Sequence, residues 1–157
     1  DATVYSFDIA NHGTPDGVYY MEWVFSKIPQ LNTFGEFILD LGADNSRVVY
    51  ARRSGGNSMG AFDSGSATLV PHTFVADADE KSGTVYSGND SLYTTNINGV
   101  YSTDTAYVGF PLGTQMNVFG VGGGGRAPGG AAKIRELKRF DATSLADGKT
   151  ILDGEMA

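Results

Sequence analysis

Short β-rich stretches separated by turn residues run almost the length of the chain, and this rhythm constrains the fold more than any other feature. TVYSFDI (3–9), VYYMEWVFS (18–26), GEFILDLG (35–42), SRVVYARR (46–53), ATLVPHTFVAD (67–77), KSGTVYSG (81–88), SLYTTNI (91–97), AYVGF (106–110) and QMNVFGV (115–121) are rich in β-branched and aromatic residues. Turn signals recur about every 8–12 residues, the spacing of an all-β sandwich or barrel. In VYYMEWVFS, Met21, Trp23 and Phe25 fall on one face and Glu22 and Ser26 on the other, a period of two, so Trp23 is expected in the core. The ND pair (89–90) predicts a hairpin over 83–97, ADN (43–45) a turn, and Pro71 a bend or an edge position.

The segment GGAAKIRELKRFDATS (129–144) departs from this rhythm. It is built of good helix formers, and Ile134, Leu137 and Phe140 recur every three residues. Periodicity alone leaves helix and strand evenly matched there.

Composition narrows the function classes. A length of 157 residues fits one domain, 1–157, with a sizeable core. With no cysteine there is neither a disulfide framework nor a thiolate site, and His12 and His72 are too few for a multi-histidine metal centre. Eighteen acidic against eleven basic residues give a formal charge of -7, which argues against nucleic acid as a partner. No apolar run is long enough to span a membrane. The chain opens on Asp1 without a basic-then-apolar leader, so a processed chain or an excised part of a longer one is expected.

The catalytic and cofactor motifs tested mostly fail. Gly120, Gly122 and Gly125 satisfy G-x-G-x-x-G, but Arg126, Ala127, Pro128 and two more glycines follow where a helix N-terminus is needed. DADEKSG (77–83) opens like a calcium loop, yet Lys81 and Gly88 stand where oxygen donors are required. A looser calcium site at Asp77 and Asp79 is the only cofactor left open. No Glu-x-Asp-x-x-Glu pair of the glucanase type occurs, and GNSMG around Ser58 only approximates a nucleophile elbow. His72 reads as a packed residue rather than a base. Tyr93, Tyr101 and Tyr107, near turns, are the aromatic rings best suited to a wet surface.

MEWVFS (21–26), GEFILDLG with VVYAR (48–52), HTFVADADEKSGTVYSGNDSL (72–92), and MNVFGVGGGG (116–125) followed by AAKIRELKRFD (131–141) and TILDGEMA (150–157) together resemble a concanavalin A-like jelly roll of the laminin-G-like kind. That family occurs in lectins, bacterial surface proteins and bacteriophage virion proteins. The resemblance covers residues 18–157 and implies an all-β, two-sheet antiparallel jelly-roll sandwich. It implies a strand over 133–140 and a last strand at TILDGEMA closing back on the sheet. The family's closing proline is missing, and its enzymes' catalytic glutamates are absent. The function expected is therefore a non-catalytic structural or adhesion module, foremost a bacteriophage capsid-decoration or tail protein with some glycan binding. The alternative is a cellular or secreted lectin-like carbohydrate-binding module. Its partners would be other virion or surface proteins and a host surface glycan, at a virion or extracellular surface, as a homo-oligomer or within a larger particle. Under either reading the ligand-binding residues expected are Arg52, His72, Tyr101, Asp104, Tyr107 and Arg126, with no catalytic residue and no bound metal.

Overall fold

A computed structural model describes residues 5–8, 15–26, 36–40, 47–52, 58–63, 66–109, 115–118 and 132–157, with side chains for 15–26, 58–61, 66–109 and 133–157. The strands are β1 Tyr5–Asp8, β2 Gly17–Phe25, β3 Glu36–Asp40, β4 Arg47–Arg52, β5 Ser58–Asp63, β6 Ser66–Pro71, β7 Asp79–Ser87, β8 Leu92–Ile97, β9 Val100–Tyr101, β10 Thr105–Ala106, β11 Gln115–Val118 and β12 Ala132–Phe140. A helix, α1, follows at Leu145–Met156. One sheet runs β1-β11-β3-β4-β5-β6 and the other β10-β8-β7-β2-β12, with β9 also on β8. Every pairing is antiparallel. This is the expected two-sheet jelly-roll sandwich. The 43–45 turn and the glycine-rich 120–130 stretch lie outside the described residues.

Between the sheets sit Met21, Trp23 and Phe25 from β2, Tyr86 and Tyr93 from β7 and β8, and Met59 and Val70 from β5 and β6. Trp23 is fully buried, as its alternation requires, and its indole N–H donates to Ser82 Oγ at 2.9 Å, which removes the penalty of burying it. Tyr86 and Tyr93, directly opposite in register, stack with centroids 5.4 Å apart. The edge strand β6 is tied to the other sheet. Tyr93 donates its hydroxyl to the Ser66 carbonyl at 2.9 Å, and Thr68 bonds the Ser102 hydroxyl and the Thr103 carbonyl. Pro71 ends β6, where its missing N–H costs no ladder bond.

The expected last strand at TILDGEMA is corrected by the structure: these residues belong to α1. The helix lies on the outer face of the β7–β2 sheet, where Leu145 and Leu152 bury against Val18, Tyr20 and Val85. Burying each leucine contributes on the order of 1.5–3 kcal/mol. Two glycines set the distance. A Cβ on Gly148 would lie 2.3 Å from Val85 Cγ1, and one on Gly83 would lie 2.3 Å from Leu152 Cδ1. Ser144 caps the helix by accepting from the Asp147 N–H at 3.1 Å, while Asp147 reaches back past the cap to accept from the Thr143 N–H at 2.8 Å, a variant of the capping box. The β7–β8 turn adds a clamp, with Asp90 accepting from the Leu145 N–H and Asn89 donating to the Thr143 carbonyl. At the other end, Lys81 Nζ donates to the Glu155 and Met156 carbonyls, placing a cation at the negative helix terminus. The helix explains why β2 is apolar on both faces: one faces the other sheet, the other faces α1.

The ambiguous segment forms β12, the edge of this sheet. Its register against β2 shifts between Ile134 and Glu136, so Arg135 is an extra, bulged residue. Ile134 then pairs with Trp23 and Leu137 with Met21, two residues on one face of β2. The bulge brings Ile134 and Leu137, three apart, onto one strand face, whereas Phe140, opposite Val18, packs on the other face toward α1; two faces together give the helix-like spacing.

Candidate functional site

Three places gather the residues that the sequence singles out. The first is at the end of the sandwich. His72 follows β6 immediately, and its Nε2 lies 3.0 Å from Glu80 Oε1 on β7. Glu80 is 4% exposed, and its other oxygen accepts from Asn98 Nδ2 at 2.5 Å. Asn98 and Gly99 form the two-residue turn between β8 and β9, with φ of +50° and +87°, the left-handed pair that a tight hairpin demands. Asn98 Oδ1 accepts from the Lys81 N–H and its own N–H donates to the Lys81 carbonyl, each at 2.8 Å. The His72 ring meets Phe74 edge-on with centroids 5.2 Å apart. An imidazole oriented by a buried carboxylate is half of a catalytic triad. Among the described residues, however, the hydrogen bond of His72 is to Glu80 alone, and no hydroxyl stands ready as a nucleophile. The arrangement fits a packed, hydrogen-bonded histidine.

The second place is the seam between β9 and α1. Tyr101 donates its hydroxyl to Asp153 Oδ1 at 2.9 Å and to the Lys149 carbonyl at 3.2 Å. Lys149 Nζ bridges to Asp104 at 2.7 Å and lies 5.3 Å from the Tyr101 ring centroid. Burial, together with the neighbouring Asp153 carboxylate, pushes the Tyr101 phenol up to about 12. Tyr101 and Asp104 are thus brought together, and both are engaged in holding the helix.

The third place is the β4–β5–β6 part of the other sheet. Arg52 pairs in register with Ser58, and Ser58 with Pro71, forming a row across three strands. The adjacent row holds their sequence neighbours Ala51, Met59 and Val70, and Met59 and Val70 are buried toward the second sheet. By alternation Ser58 and Pro71 belong to the outer face, where Ser58 is nonetheless buried, and Arg52 stands in register with Ser58. The described helix packs on the other sheet, against β7 and β2.

Of the remaining candidates, Tyr107 is 8% exposed and packs on Tyr86 and Tyr93 at 5.2 and 6.2 Å, and Tyr93 is fully buried. This corrects the expectation of wet rings at those two positions: cross-strand stacking draws them into the core. Asp77 sits in a turn at φ +59°, and Asp79 accepts from Arg135 at 2.8 Å. Among the described residues, no three His, Asp or Glu side chains gather to hold a metal. Arg126 lies outside the described residues. Sequence reasoning passed over Glu80, Asn98 and Lys149. The Asn-Gly pair, a strong hairpin signal, would have found Asn98.

No protein-family model and no curated protein sequence matches the chain. Its fold does match solved structures. Against the Ruminococcus gnavus IT-sialidase CBM40 bound to α2,3-sialyllactose the TM-score is 0.63 at 11% identity, covering 97% of this chain and 94% of that one. Against the NanB sialidase from Streptococcus pneumoniae it is 0.59 at 16% identity, covering 93% of this chain and 26% of that one. Against a tetrameric galectin from the ball sponge Cinachyrella it is 0.50 at 13% identity, covering 88% and 99%. The chain spans about a quarter of the length of the sialidase it matches. At these identities the shared property is the fold: a β-sandwich jelly roll that carbohydrate-binding modules and lectins also adopt.

Proposed function

We propose that the chain is a non-catalytic, lectin-like carbohydrate-binding module that acts at an extracellular surface. The observation that carries this reading is the end-to-end fold likeness to the sialyllactose-bound CBM40, which spans nearly the whole of both chains. The sequence supports it by lacking the paired glutamates of the family's enzymes. The ligand face follows from what is already occupied. α1 closes the outer face of one sheet, Tyr101 and Asp104 hold that helix, and Tyr107 packs in the core. The proposed ligand face is the outer face of β4–β6, to which the register row of Arg52, Ser58 and Pro71 belongs. A guanidinium offers planar donors to sugar hydroxyls or carboxylates. The expectation of a capsid or tail protein gains no support from these neighbours, so the lectin-like reading takes precedence.

A glycan array with the purified chain tests it. Binding of at least one glycan class is expected, and Arg52→Ala should weaken it by about 10- to 100-fold, the loss of one charge-assisted hydrogen bond. Absence of binding by the parent chain across the array sinks the proposal. Undiminished binding by Arg52→Ala moves the site elsewhere.

A further inference from the structure

The Asn98–Gly99 turn carries chemistry as well as shape. It is the only Asn-Gly pair in the sequence. Glycine after asparagine is the most permissive arrangement for attack of the following backbone nitrogen on the side-chain amide, because no Cβ obstructs the approach. A Cβ built on Gly99 would meet nothing within 4 Å, so the turn faces open space. Each reacting group is nevertheless held in place. The Gly99 N–H, the would-be nucleophile, donates to Asn96 Oδ1 at 2.8 Å. The Asn98 amide, the would-be electrophile, is fixed at both atoms, Oδ1 by the Lys81 N–H at 2.8 Å and Nδ2 by Glu80 at 2.5 Å.

We propose that Asn98 is a deamidation site gated by this network, with Glu80 as its latch. When the turn opens, the Gly99 nitrogen gives its proton to water and attacks Asn98 Cγ. The N–Cγ bond forms, the Cγ–Nδ2 bond breaks, and Nδ2 leaves as ammonia with a proton from water. Water then opens the resulting succinimide at either carbonyl, leaving aspartate or isoaspartate at position 98. Either product replaces a donor to Glu80 with a second carboxylate against a buried one. The turn cannot re-form its old contacts, and His72 loses the fixed acceptor that holds it. Conversion is therefore a one-way change at this end of the sandwich.

The test follows the intact chain by peptide mass mapping during incubation at mildly alkaline pH, natively and in concentrated urea. In urea, conversion should concentrate at Asn98. In the native state it should be slower on the order of a hundredfold, as three hydrogen bonds of ordinary net strength convert. Glu80→Gln, shown to be folded by circular dichroism, should recover about tenfold of that rate, because the charge on the latch is gone. Equal native and urea rates, or conversion in urea spread over the other asparagines, overturns the proposal. A folded Glu80→Gln that converts as slowly as the parent overturns the role of Glu80. If that variant does not fold, the native-to-urea ratio of the parent decides.

Discussion

Replacing Gly148 with alanine sets two known effects against each other. In a helix interior alanine is favoured over glycine by about 1 kcal/mol. The added Cβ would lie 2.3 Å from Val85 Cγ1 and 3.3 Å from Val18 Cγ2. Both neighbours are β-branched and fully buried, so neither can swing away. Overpacking of this kind costs typically 1–3 kcal/mol, and the shortness of the first contact places Gly148→Ala in the upper half of that range. The net expectation is a loss of about 1–2 kcal/mol, or roughly 2–8 °C in Tm for a chain of this size. Gly154 provides the control, since a Cβ there meets nothing within 4 Å. Gly154→Ala should be neutral or stabilising by up to about 1 kcal/mol. Adding Val85→Ala should recover part of the Gly148→Ala loss as a favourable coupling. Urea unfolding of the parent, the three single variants and the double variant measures all of these. A Gly148→Ala chain as stable as the parent would refute the close docking of α1.

Other outcomes follow from the same structure. Tyr101→Phe removes a hydroxyl that serves Asp153 and the Lys149 carbonyl, and should cost about 1 kcal/mol, with faster hydrogen exchange in the last turns of α1. The folded phenol is raised from 10.0 to about 12, so the folded state favours the protonated form; its contribution is complete below pH 10 and is lost as pH rises through 12. Burial also raises the Tyr19 and Tyr20 phenols, so spectrophotometric titration should show several tyrosines ionising late, with alkaline unfolding, and Tyr101→Phe should reduce that step by one tyrosine. The Leu145 N–H and the Ser87 hydroxyl hold the Asp90 carboxyl below its usual 3.8, so its clamp is complete above that pH and fails as acid is added. Asp90→Asn should loosen the start of α1 at neutral pH, seen as faster exchange at Leu145, and should make that exchange less sensitive to acid.

The fold was legible where one periodicity ruled. VYYMEWVFS shows its alternation openly, and β2 is the best-buried strand described. The hairpin of β7 and β8 stands between its turn residues as expected. The ambiguous segment and the misread last strand share a cause, namely that tertiary contacts set the pattern. In β12 a bulge at Arg135 moves Leu137 onto the face of Ile134, and no local rule reveals where a bulge will fall. In α1 the apolar residues Leu145, Ile151 and Leu152 are interrupted by Gly148, which serves close packing against Val85 rather than helix propensity. The signal that could have found this helix was S-L-A-D at 144–147, a capping box. The candidate site was less legible. Tyr101 and Asp104 read as ligand-binding groups in the sequence, but the partners that engage them, Lys149 and Asp153, lie some fifty residues on.

The charged β12 edge bears on one way in which copies of this chain could pair. Centre a two-fold antiparallel pairing of β12 with itself on Glu136, and Glu136 opposes its own copy while Lys133 opposes Arg139. Like charges stand directly opposite at each of these positions, which disfavours the pairing. In that register the described β12 edge disfavours extension of the second sheet into a continuous ribbon.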